Sequence, residues 1–106
     1  MRKETRLIAE AFIQRTPKRA ARTYTDGHRM YLHGYPIAWW EHDRSLAVTL
    51  AGWPTRTTMD RLNGLCELLG HGRPFHTVKS EPHHNGKRVD DDAIITYHDL
   101  HHYPSK

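Results

Sequence analysis

His28-Arg-Met-Tyr-Leu-His33, Gly34-Tyr-Pro36, Ile37-Ala-Trp-Trp-Glu41, His42-Asp-Arg-Ser45 and Leu46-Ala-Val-Thr-Leu50 follow one another without a gap, and their reading decides the fold. Met30 and Leu32 alternate with polar neighbours, as do Leu46, Val48 and Leu50, and period-two alternation marks a strand with one buried face. Gly34-Tyr35-Pro36 and His42-Asp43-Arg44-Ser45 are the turns between them, and Gly52-Trp53-Pro54 ends the third run. The segment therefore predicts an antiparallel meander of strands His28–His33, Ile37–Glu41 and Leu46–Leu50. Trp39 and Trp40 must face opposite sides of the middle strand. One can be core while the other is covered by a helix, exposed or used in binding.

Working outward, Leu7, Ile8, Ala11 and Phe12 form one face of a predicted helix from Arg2 to Arg15, which Thr16-Pro17 stops. Lys18 to Arg22 lacks apolar periodicity and reads as a basic connector, ending at the Asp26-Gly27 turn. Beyond the meander, Thr57 with Asp60 three residues later predicts a capping box, and Met59, Leu62, Cys66 and Leu69 recur along one helix face. Leu65 and Leu68 widen that stripe, Arg61 and Glu67 point elsewhere, and Gly70 and Gly72 close the helix. Phe75 to Lys79 reads as a fourth strand and Ala93 to His98 as the last. Asn85-Gly86 is a type I′ hairpin signal, and Pro82 argues against a central strand at its position. The order α-β-β-β-α-β-β is that of an α+β fold: a small two-layer domain, with an antiparallel sheet of about five strands and two helices. It is expected to occupy residues 1–98, with a loose His-rich tail over 99–106.

A chain of 106 residues supports a single core. No apolar run approaches the roughly 20 residues of a membrane helix, and Met1-Arg2-Lys3-Glu4 offers no apolar export stretch, so a cytoplasmic location is expected. Cys66 is the sole cysteine, which excludes an internal disulfide and a Cys-based zinc knuckle. Charge is uneven. Residues 1–22 hold seven basic side chains against Glu4 and Glu10, while the rest of the chain is close to neutral. Eleven of the 16 cations are arginines, whose planar fork grips phosphates or carboxylates in a bidentate way.

Of ten histidines, seven lie after residue 70. His83, His84, His101 and His102 are the candidate metal ligands, since neutral imidazoles suit zinc, nickel or copper. The Cys-x-x-Cys and His-Glu-x-x-His spacings are absent, so no metal and no cofactor is assigned and solvent-facing histidines are expected. His83, His84, Asn85 and His102 superficially resemble a His-Asn-His nuclease, but that site needs a helix after its hairpin. Asp90-Asp91-Asp92 reads as a solvated turn, and Cys66, on an apolar helix face without a histidine, reads as a small core residue. No phosphate loop or nucleophile motif appears, and the chain is not expected to be an enzyme.

Tyr24, Tyr31, Tyr35, Trp39, Trp40 and Trp53 place six of ten aromatics within thirty residues. Rings beside arginines build protein interfaces and platforms that stack bases.

Asp26-Gly27, Leu32-His33-Gly34, Ile37-Ala38-Trp39, Gly52-Trp53-Pro54-Thr55, Thr57-Thr58 and Arg61-Leu62-Asn63 occur in that order, after a helix carrying Ile8-Ala9-Glu10-Ala11-Phe12 and a basic stretch. The ordered set resembles a recurrent group of small proteins of tailed bacteriophages, with residues 26–65 carrying most of the likeness. The resemblance implies origin, a small viral gene product working in a bacterial cytoplasm, and brings no site residues with it; the His-rich end departs from the pattern. Physically, Gly34 and Gly52 fit turns, Asn63 suits a side-chain tie between helix and loop, and Arg61 either pairs with a local carboxylate or meets an external anion.

The expected function is that of a non-enzymatic accessory protein binding a host protein or nucleoprotein complex and inhibiting a nucleic-acid-handling machine, such as a CRISPR complex or RNA polymerase. Arg15, Lys18, Arg19 and Arg22 would steer it to an acidic or phosphate-rich surface, Trp40 or Tyr35 would anchor it, and Arg61 would join them. Direct binding of DNA or RNA is the second reading, and a metal-dependent nuclease using His83, His84 and His102 is the third. An unpaired strand edge also allows a homodimer.

Overall fold

The computed structural model describes residues 1–42, 44–98 and 100. Two helices, α1 (Lys3–Ile13) and α2 (Arg56–Leu68), accompany nine strands. These are β1 (Lys18–Ala20), β2 (Thr23–Thr25), β3 (Arg29–Leu32), β4 (Tyr35–His42), β5 (Ser45–Thr49), β6 (Phe75–Val78), β7 (Glu81–His84), β8 (Lys87–Arg88) and β9 (Ile94–Tyr97). The fold is α+β, with every ladder antiparallel. In place of one sheet of about five strands there are two: a six-stranded sheet in the order β1-β2-β3-β4-β5-β9, and a three-stranded sheet β6-β7-β8.

The expected meander is present as β3–β5, and the basic connector is a hairpin instead. Lys18 pairs with Thr25 and Ala20 with Thr23 across a two-residue turn. Its Ala21 takes φ 55° without the glycine or asparagine that normally announces such a turn. Thr23 and Thr25 are buried although polar, because a threonine methyl packs while its hydroxyl finds a partner: Thr25 Oγ1 donates to the Arg29 carbonyl at 2.7 Å. Phe75–Val78 begins the second sheet and does not extend the first. Asn85 and Gly86, both at positive φ, make the predicted hairpin turn. Pro82 does occupy a middle strand, but β8 pairs only with His83 and His84, so the proline lies beyond the ladder that would have needed its N–H.

Both helices pack on one face of the large sheet around Ile8, Phe12, Met30, Val48, Leu62 and Leu65. They approach closely at Gly64, where a Cβ would lie 2.2 Å from Thr5 Cγ2. The start of α2 corrects the capping-box reading. Thr55, in extended conformation, is the N-cap and accepts from the Thr58 N–H at 3.2 Å, while Asp60 turns to α1 and accepts from Thr5 Oγ1. Asn63 makes the expected tie, donating to the Phe75 carbonyl and accepting from its N–H, both at 2.8 Å. That pair joins α2 to the small sheet. Leu100, expected in the loose tail, is buried and its N–H donates to the Arg44 carbonyl at 3.0 Å. Asp99 and residues 101–106, with His101 and His102, lie outside the described residues.

Candidate binding surface on the open face of the sheet

Cross-strand partners share a sheet face, and the registers place Arg19 beside Tyr24 and Tyr24 beside Tyr31. Their strand neighbours Thr23, Thr25, Met30 and Leu32 are buried towards the helices. Arg19, Tyr24 and Tyr31 therefore stand on the opposite face, where both rings are half-exposed. The tyrosine rings stack at 5.9 Å between centroids and 25° between planes, and the Arg19 guanidinium carbon lies 4.9 Å from the Tyr24 centroid. Arg29 and half-buried Trp39, also in register, extend the same face. Arg22 and Gly34 complete a depression of about 270 Å³ with Arg19, Tyr24 and Tyr31.

Lys18, Arg19, Arg22 and Arg29 are exposed and, among the described residues, form no ion pair. The nearby acid, Asp26, serves its own turn: Oδ1 accepts the N–H groups of Arg29 and His28, each at 2.8 Å. Those two bonds, Arg29's first, hold its carboxyl below the usual range. Gly27 beside it takes φ +94°, and a Cβ there would lie 2.6 Å from the Arg15 carbonyl oxygen.

Three expected surface residues are placed otherwise. Trp40 is 4 % exposed, stacks on Phe12 at 5.0 Å and donates its ring N–H to the Phe12 carbonyl at 3.1 Å. It is core, because its position alternates with Trp39 towards the helices. Arg15 lies over the other side of that indole, its guanidinium carbon 3.9 Å from the centroid, and covers the core edge. Arg61 is 4 % exposed and donates to Thr23 Oγ1 at 2.9 Å, Thr5 Oγ1 at 2.6 Å and Asp60 at 3.0 Å. The local-carboxylate reading holds for it. Tyr35 is 50 % exposed, as expected of an anchor, and its neighbour is Trp53, 53 % exposed, 6.1 Å away. The two wall a cleft of about 320 Å³ floored by Leu32, Ile37 and Leu50, round the β3–β4 turn from the depression. Trp53 was readable from sequence, since a tryptophan bracketed by Gly52 and Pro54 has no regular element to bury it. Tyr24 and Tyr31 were readable only once Thr23 and Thr25 were known to be inward.

Among the described residues no group of three or more His, Cys, Asp or Glu side chains is placed to hold a metal. His83 and His84, adjacent in β7, face opposite ways: the His83 ring lies 5.5 Å from that of His76, tilted by 33°, and His84 Nε2 meets Tyr97 Oη at 2.5 Å. Cys66 Sγ donates to the same Tyr97 oxygen at 3.7 Å. Burial pushes the Cys66 thiol up to about 11, raises Tyr97 further with Cys66 contributing, and lowers His84. A thiol so placed is protonated at neutral pH and seals the joint between α2, β7 and β9.

Among the described residues no helix is long and apolar enough to cross a membrane. No curated protein and no solved structure matches the chain. The family model described as Kyanoviridae Gp96 protein matches residues 1–90, a span holding both helices, β1 to β8 and the whole Arg19–Tyr24–Tyr31 face. On that match the chain belongs to the Kyanoviridae Gp96 protein family, a family of phage proteins.

Proposed function

We propose that this phage protein is a non-enzymatic accessory protein that docks on a host macromolecule of the nucleic-acid-handling machinery and hinders it, working in the bacterial cytoplasm. One observation carries the reading: Arg19, Tyr24 and Tyr31 form a stacked row on a sheet face that, among the described residues, no helix covers, flanked by Arg22 and Arg29. Fixed rings supply contact area at little entropic cost, and unpaired guanidinium groups supply steering towards phosphate or carboxylate. The basic arm inferred from sequence thus contracts to Arg19 and Arg22 on this face, and the anchoring rings become Tyr24 and Tyr31.

Recovery from host lysate tests this reading. Native protein is expected to retain a defined partner that an Arg19→Glu, Arg22→Glu variant loses, with the variant's thermal melt unchanged. Equal recovery by both would remove the face from the function.

A further inference from the structure

Resting on that docking reading, we infer that the open face binds single-stranded nucleic acid directly, with bases against Tyr31 and Trp39, Tyr24 backing the Tyr31 ring, and phosphates on Arg19, Arg22 and Arg29. The rings sit on three adjacent strands, β2, β3 and β4, on the side away from the helices. Neighbouring strands are about 4.8 Å apart, so the sheet presents one ring per strand; Tyr24 and Tyr31 stack on one another with Arg19 over Tyr24, and a base meets the row at its Tyr31 and Trp39 end. Such an array suits unstacked bases laid across strands, because every base has a π-face. A duplex hides those faces. Charge complements the same ligand: cations occur at both ends of the ring row, Arg22 beside the β3–β4 turn and Arg29 at the other end, and neither is in an ion pair among the described residues.

Fluorescence polarisation with labelled oligo-dT and oligo-U, beside a duplex of equal length, reads this directly. The expected result is binding of single strands in preference to duplex, weakening as salt rises with a slope of about −0.7 per phosphate contacted. Tyr24→Ala with Tyr31→Ala should weaken binding about ten-fold or more, since each stacked base contributes on that scale. Tyr24→Phe with Tyr31→Phe keeps the rings and should bind within about two-fold of native. Arg19→Glu with Arg22→Glu should flatten the salt slope. Preference for duplex, or equal binding by the Ala and native proteins, would overturn the inference. Absence of any polarisation change at low salt, while lysate recovery of a protein partner survives nuclease treatment, would overturn it and leave the docking reading standing. Absence of both would end the two together.

Discussion

Gly27 and Gly64 are the positions where a single methyl group does most harm. Gly27 combines φ +94° with a carbonyl oxygen 2.6 Å from where a Cβ would go, so Gly27→Ala meets backbone strain and a clash with the Arg15 backbone together. Gly64 has ordinary helical backbone but Thr5 close in front of it, so Gly64→Ala should cost about 1–3 kcal/mol by overpacking, and Thr5→Ser should recover part of that. Thermal melts of the single and paired variants read both. At the same scale, acrylamide should quench the native fluorescence chiefly through exposed Trp53, and Trp53→Phe should leave the protected emission of Trp40 beside the partly protected emission of Trp39. Full quenching of the Trp53→Phe protein would contradict the burial of Trp40.

Among the elements, the joint between the two sheets is sensitive to pH. Burial lowers His84 in the folded protein, so the unfolded chain takes up the proton more readily as pH falls below the ordinary histidine value of about 6.5. Stability is therefore full above that value and declines as pH drops towards the folded value. Melting at pH 7.5 and 5.5 should show a larger loss for the native protein than for His84→Gln. Elements were also where the sequence was most and least legible. The β3–β5 meander and both helices were visible because their buried positions are apolar and periodic. The β1–β2 hairpin was hidden because its inward residues are threonines and its turn uses Ala21. The candidate face was half legible for that reason: the arginines were noticed, but which of them was free depended on Trp40 and Arg61 being interior, a fact of three-dimensional packing.

For the molecule as a whole, β9 has an importance out of proportion to its four residues. It pairs along β5 from Leu46 to Thr49, and β5 is buried at every position. Ending the chain at Asp90 would keep the span of the family match but bare the backbone of that strand. The truncated protein is expected to lose solubility or elute as an oligomer in size-exclusion chromatography, and a monomer of native melting temperature would show β9 to be dispensable.

The place of Arg15 over Trp40 has an evolutionary reading. Because that arginine roofs an indole, a swap to lysine, harmless on a solvated arm, would here weaken the lid. Drift among basic residues should therefore be freer at positions 18 and 22 than at 15, even though all three look alike in a charge plot.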